Sequence, residues 1–299
     1  MAYRNIFVSS SSKVTLRNQQ LIIKTEEEYS FPLEDISTIM LENNQSSISS
    51  AVLSECAKNG MLVYFCDEKH IPCGVLTGFH THSRQYKMLQ SQIQTKETLK
   101  KHLWSKIVIQ KIRNQAKVLE ILGLQGKDQI ESLSKRVKLN DKENMEAVAA
   151  AQYFKLLFGN RFSRGQSNII NARLNYGYAI IRGLLCRSIT VYGLEPSLGI
   201  HHYSQLNAFN LADDIIEVFR PMVDLCVYQM DEGEREYLTT RDKQILYNIV
   251  NCDVSFESQK HPLFYGIEKT VQTFQSSIVM GEDQLKLCEL LPLRQHIYE

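Results

Sequence analysis

Residues 198–221, LGIHHYSQLNAFNLADDIIEVFRP, set two imidazoles, His201 and His202, ahead of three acids, Asp213, Asp214 and Glu217, and one guanidinium, Arg220. Imidazole and carboxylate donors that converge on one spot suit a hard divalent metal. Asn210 is placed to cap a helix whose third position is Asp213. Asp213 or Asp214 then shares a face with Glu217 at i+4 or i+3. A solvated helix start has the same composition, because first-turn carboxylates are stabilised by the helix dipole whether or not they bind anything. A further acid, Glu146, opens another helix among Ala147, Ala149, Ala150 and Ala151, side chains small enough to let a ligand or a second backbone approach. Its simpler reading is again a first-turn acid.

Other chemistries are poorly represented. Cys66, His70, Cys73, His80 and His82 invite a zinc reading, but C-x3-H-x2-C is not a standard knuckle, and DEKHIP reads more simply as a turn between two strands. The seven cysteines are odd in number, scattered and without a C-x-x-C pair, which fits reduced thiols. There is no Gly-rich phosphate loop, no G-x-S-x-G and no H-E-x-x-H. The start MAYRNIFVSSSSK lacks the apolar core of a signal peptide and no long apolar run follows, so a cytoplasmic protein is expected.

With 43% hydrophobic and 22% charged residues, the composition is that of a globular chain, and the net charge of +1 conceals an asymmetry. Residues 1–70 hold six Lys and Arg against nine Asp and Glu. Residues 79–118 hold nine basic side chains, Arg84, Lys87, Lys96, Lys100, Lys101, Lys106, Lys111, Arg113 and Lys117, against Glu97 alone. Such a block suits a polyanion, or is a solvated helix face paired with acids elsewhere.

These groups need positioning elements. Short β-branched or aromatic runs at residues 5–9, 13–16, 21–24, 29–33 and 38–41 predict a small sheet. Residues 47–58 predict a helix on that sheet, ending at Asn59-Gly60, and residues 61–66 a strand. From about residue 84 the period becomes helical. A long basic helix over 97–122 carries an apolar stripe and stops at Gly123 and Gly126. A helix started by Asn140 or Asp141 runs to Gly159, another spans 168–192, and a fourth begins at Leu211 and is kinked by Pro221. The tail from Asn251 is mixed. The expected class is α+β, with a small N-terminal β-domain over residues 1–80 and a larger all-α catalytic domain over 81–299.

The order of segments resembles a known family, the CRISPR-associated spacer-integration endonucleases, and is closest in look to members from type II systems. The resemblance is carried by residues 47–76 (SISSAVLSECAKNGMLVYFCDEKHIPCGVL), 144–159 (NMEAVAAAQYFKLLFG), 174–185 (LNYGYAIIRGLL) and 198–224 (LGIHHYSQLNAFNLADDIIEVFRPMVD). It implies a divalent-metal site, Mg²⁺ or Mn²⁺, formed by Glu146, His202 and Glu217, with His202 preferred over His201 because it stands third after Gly199. Ala147 and Val218 depart from the family's usual Gly and Pro, and Ala147 adds one methyl near the expected site. The resemblance further implies a homodimer formed through the β-domain, and double-stranded DNA, both prespacer and CRISPR repeat, as partner. A small second CRISPR-associated adaptation protein would complete the integration complex.

The expected activity is insertion of a prespacer into a CRISPR array, with its 3′-hydroxyl attacking a phosphodiester at the leader–repeat junction. Arg84, Lys87, Lys96, Lys100, Lys101 and Arg220 are the expected DNA-binding residues. The alternatives are a non-catalytic DNA-binding scaffold of the same complex and a helical metallohydrolase acting on a small phosphate ester.

Overall fold

The structure is a computed structural model that describes residues 4–68, 72–76, 78, 84–230 and 237–297. The chain divides into two compact units, Met1–Ser83 and Arg84–Glu299.

In the first unit, strands β1 (Arg4–Val8), β2 (Lys13–Arg17), β3 (Gln20–Lys24), β4 (Glu28–Pro32), β5 (Ile36–Leu41) and β6 (Ser47–Ile48) precede helix α1 (Ser50–Lys58) and strands β7 (Leu62–Cys66) and β8 (Pro72–Leu76). They form two sheets rather than one, ordered β1-β5-β7-β8 and β4-β3-β2-β6. The β2–β3 hairpin turns on Asn18 and Gln19, both with positive φ, as a two-residue loop of the twist-matching kind requires. Val14, Leu21 and Ile23 from one sheet and Val8, Ile36, Ile39 and Val63 from the other bury together with Val52 and Cys56 of α1. The helix expected over 47–58 starts three residues later, because Ser47 and Ile48 pair with Lys13 and Val14 as a short parallel strand. Cys66 is buried and Cys73 exposed, whereas His70, His80 and His82 lie outside the described residues.

The second unit contains α2 (Gln85–Ile93), α3 (Glu97–Ile121), α4 (Lys127–Ser134), α5 (Met145–Phe158), α6 (Ile169–Val191), α7 (Asn210–Ile215), α8 (Arg220–Gln229) and α9 (Thr240–Asn248). Strands β9 (Cys252–Phe256) and β10 (Gln259–Pro262), helix α10 (Leu263–Met280) and strand β11 (Glu289–Gln295) complete it. The expectation of an all-α C-terminal domain is therefore corrected: β10-β9-β11 form an antiparallel sheet. The β9–β10 hairpin turns on Glu257 and Ser258, both with positive φ, so the Gly or Asn that usually marks such a turn is missing from the sequence. At Gly266 of α10 an added Cβ would lie 2.6 Å from Val254 Cγ2, which shows how closely this helix approaches β9.

Helix α3 is the axis of the unit. Leu103, Ile107, Val108, Ile112, Ala116 and Leu119 are fully or almost fully buried, and α4, α5, α8 and β11 pack around them. Inside this apolar environment, Asn114 donates to the carbonyls of Val218 (2.9 Å) and Cys288 (3.2 Å) and accepts from the Leu290 N–H (3.1 Å). One side chain thus fixes the segment before α8 and the strand β11 to α3. Replacing Asn114 by Ala strands these three backbone groups in the core. The expected result is a loss of stability on the order of 3 kcal/mol, read as a lower midpoint in urea unfolding.

Candidate metal centre and phosphate pocket

Each acidic group is placed by a local device. Glu146 begins α5 because both Asp141 oxygens accept from the first turn, Oδ1 from the Met145 N–H and Oδ2 from the Glu146 N–H, each at 2.9 Å. Glu217 lies in a 3₁₀ turn, Ile216–Val218, between α7 and α8. The single kinked helix expected from Leu211 is thus two helices, and Pro221 sits in the first turn of α8, where a missing N–H is harmless. Asn210 does not cap α7 as expected. Phe209 takes the cap position, and the Asn210 amide donates to Ser197 O (3.0 Å) and Ser204 O (2.9 Å), tying down the preceding loop.

The two acids meet around one cation. Lys111 Nζ of α3 donates to Glu146 Oε1 and to Glu217 Oε2, and it is 5% exposed. Arg220 Nε donates to the other Glu217 oxygen at 2.8 Å. Burial alone would raise the Glu217 carboxyl, but the Lys111 and Arg220 charges hold it down at about 2. Burial likewise works against the Lys111 ammonium, and the charges of Glu217 and Glu146 outweigh it and raise that group. The Arg220 guanidinium lies 4.5 Å from the Tyr178 ring centroid and that of Arg164 5.4 Å from it. Tyr178 in turn donates through its hydroxyl to Asp224, which burial pushes up to about 6. A cavity of about 180 Å³ opens here, with Gln115, Glu146, Arg164, Glu217 and Arg220 in its lining.

The histidines occupy a loop held by Asp214. This fully buried carboxylate accepts from the N–H groups of Ile200 (2.6 Å), His201 (3.1 Å) and His202 (3.1 Å), and it contacts His202 Nδ1 at 2.7 Å. The Asp214 bond raises the His202 imidazole against the opposing effect of burial, and the Glu217 charge acts on it in the same sense. His201 instead stacks on Trp104, ring centroids 4.1 Å apart and nearly parallel, and burial lowers it. Asp213 is committed to Arg182, at 2.7 and 2.6 Å, and to Asn207. Of the three acids in this segment, only Glu217 therefore faces Glu146 through a shared cation.

A model of the family described as CRISPR associated protein Cas1 matches residues 6–240. The chain belongs to the Cas1 family. It is 41% identical, over 305 residues and the full length of both chains, to the CRISPR-associated endonuclease Cas1 of Neisseria meningitidis serogroup C. Its fold is similar to that of a casposase bound to integration product, with a TM-score of 0.78, 18% identity and coverage of 95% of this chain and 92% of that one. It is also similar to a chain of a Cas6-RT-Cas1–Cas2 complex, with a TM-score of 0.72, 18% identity and coverage of 97% of this chain and 36% of that one. The expected assignment to the CRISPR adaptation integrases stands, and with it a nuclease and integrase role.

Within this Cas1 chain the expected residues separate. Glu146 and Glu217 come together, while His202 is drawn to Asp214. Among the described residues no three His, Cys, Asp or Glu side chains are arranged as a ready metal cage. Ala147 is exposed and is not among the residues that line the cavity. The basic block is not one uniform face. Lys100 pairs with Glu97 and Lys106 with Asp283, both at 2.8 Å, and Lys117 pairs with Glu120. Arg84, Lys87, Lys96 and Lys101 are exposed. Arg220, expected on DNA, is engaged with Glu217 and Tyr178 at the cavity.

The sequence counts Lys111 among the surface cations and does not single out Arg164 or Asp224. For Lys111 a signal exists, since it follows Trp104, Ile107 and Val108 at helical spacing and so falls on the apolar stripe. Gly199 shows why the His loop is tight. A Cβ there would lie 2.4 Å from the His202 carbonyl oxygen and 2.8 Å from Asp214 Oδ2. Gly199→Ala should loosen residues 199–202, so that the amides of Ile200 and His202 exchange faster in hydrogen-exchange mass spectrometry while the core of α3 keeps its protection.

Proposed function

We propose that this Cas1 chain is a divalent-metal-dependent DNA strand-transfer integrase whose metal site is Glu146, Glu217 and His202. The observation that carries the reading is the meeting of Glu146 and Glu217 around one cation beside a cavity lined by Arg164 and Arg220.

The donor set fits such an ion. The Lys111 ammonium stands where two hard anionic oxygens offer themselves to a positive charge, and His202, engaged through Nδ1 by Asp214, keeps Nε2 as its ligating nitrogen. Two carboxylates suit Mg²⁺ and an imidazole favours Mn²⁺, so either ion should serve. When bound, the ion supplies polarisation of a phosphoryl oxygen and makes the attacking hydroxyl more acidic.

The protein's own groups do the rest. Asp214 fixes the proton of His202 on Nδ1 and the orientation of the ring. Arg164 and Arg220, steadied against Tyr178, bind the phosphate under attack. The prespacer 3′-hydroxyl forms a new P–O bond at the leader–repeat junction as the bond to the leaving 3′-oxygen breaks, and a second end then attacks the far end of the repeat. One phosphodiester replaces another, so no nucleotide is consumed. Arg84, Lys87, Lys96, Lys100 and Lys101 bind flanking phosphates. A homodimer formed through the N-terminal β-unit and a small second adaptation protein complete the assembly. The similarity to a casposase bound to integration product and to a Cas1–Cas2 complex supports the DNA and protein partners.

The test is strand transfer of a labelled duplex into a supercoiled plasmid carrying leader and repeat, with the second protein present. Wild type in Mg²⁺ or Mn²⁺ should give half-site product. EDTA or His202→Ala should reduce it by about 100-fold or more with duplex binding retained. Undiminished product from the mutant would exclude the site, and persistence of product in all three ligand mutants would leave only the scaffold role. In a second measurement, replacing Lys87, Lys96 and Lys101 by Ala should flatten the log–log salt dependence of duplex binding by about 0.9 for each phosphate that is no longer neutralised. An unchanged slope would remove these residues from the DNA face.

A further inference from the structure

Lys111 is a member of the basic block by sequence and a member of the carboxylate cluster by position. Its ammonium contacts Glu146 and Glu217 and is almost sealed from solvent. Together with Arg220 it balances the two carboxylates, so the cluster of four side chains is neutral without any metal. A protonated amine has no lone pair and cannot join a metal's ligands. A divalent ion held by the same two carboxylates would confront the Lys111 charge at close range in a buried setting, where repulsion is weakly screened. Of the two carboxylates, Arg220 bonds Glu217, on the oxygen opposite to Lys111. It can stay, whereas Lys111 stands between the two carboxylates and cannot. Its four-carbon stem is flexible, and the adjoining cavity, which Lys111 itself helps to line, gives the ammonium room to move.

We propose that Lys111 is a resident counter-ion of the Glu146–Glu217 pair that the divalent ion must displace, so that this lysine sets how much metal is needed to load the site. The proposal rests on the metal-site reading above. It makes the metal-free protein stable, because buried Glu217 and partly buried Glu146 are never left without a cation, at the expense of metal affinity. It also places the displaced ammonium in the cavity with Arg164 and Arg220, where a third positive charge adds to phosphate binding.

The test is titration of Mn²⁺ into the metal-free full-length protein, by calorimetry and by the electron paramagnetic resonance signal of free Mn²⁺, for wild type, Lys111→Met, Lys111→Arg and His202→Ala. Lys111→Met, which keeps the length and removes the charge, should bind Mn²⁺ roughly tenfold more tightly or better, whereas Lys111→Arg should not. In EDTA, Lys111→Met should unfold at a lower temperature than wild type and gain more from added Mn²⁺. Equal affinities in wild type and Lys111→Met, with binding abolished by His202→Ala, would overturn the proposal and leave the site standing. Binding that His202→Ala does not weaken would overturn the site and the proposal together. Should Lys111→Met fail to fold, the wild type still decides. Acylation of Lys111 by an N-hydroxysuccinimide ester, followed by mass spectrometry, should be faster in saturating Mn²⁺ than in EDTA, and an unchanged rate would overturn the proposal.

Discussion

Buried charge without a partner is among the most unfavourable arrangements a protein interior can hold, and one place where the helical unit meets this constraint is the Lys111 ammonium between Glu146 and Glu217. Three separate segments have to arrive there: the middle of α3, the first turn of α5 and the 3₁₀ turn before α8. Their approach is over-determined. Asp141 fixes the start of α5 through two backbone hydrogen bonds. Asn114, three residues beyond Lys111 on the same helix, holds the carbonyl of Val218 next to Glu217. The ion cluster and the buried amide thus clamp the same turn from two sides, one by charge and one by hydrogen bonding.

The His loop is organised by the same logic at a smaller scale. Asp214 is fully buried and is satisfied by three backbone N–H groups and one imidazole nitrogen. The loop closes around it only because Gly199 carries no Cβ. Gln92 of α2 adds a second tether, accepting from the Glu195 N–H (2.8 Å) and donating to the carbonyls of Glu195 and Leu198, each at 3.0 Å. The backbone of this loop is thus tied down by two buried side chains, Asp214 and Gln92.

Charge that looks uniform along the chain is sorted by the fold into different tasks. In the basic block, Lys106 anchors the segment after α10 through Asp283 and the Leu285 carbonyl. Lys111 neutralises the acid pair, and Lys100 and Lys117 are paired with acids on their own helix. Lys87, Lys96 and Lys101 remain exposed on α2 and at the start of α3. The net charge of a segment therefore overstates the charge available to a polyanion, because part of it is used internally.

The sequence by itself determined the class of the protein and most of its elements. Helix periods and stops located α3, α5 and α6 to within a residue or two of most ends, since Gly123, Gly159 and Gly193 adopt the positive φ that glycine tolerates best. The spacing of imidazole and acids marked residue 146 and segment 201–217, two of whose acids the fold brings together, and the family resemblance agrees with the family match. The C-terminal sheet was not legible, because its β9–β10 turn uses Glu257 and Ser258 in a conformation that local sequence does not announce. Nor could the sequence say which acids belong together. Asp213, Asp214 and Glu217 stand within five positions of one another, yet one pairs with Arg182, one carries the His loop and one joins Glu146 through Lys111. A helix turn points neighbouring side chains in different directions, and only the packing of other segments against each face decides what each carboxylate meets.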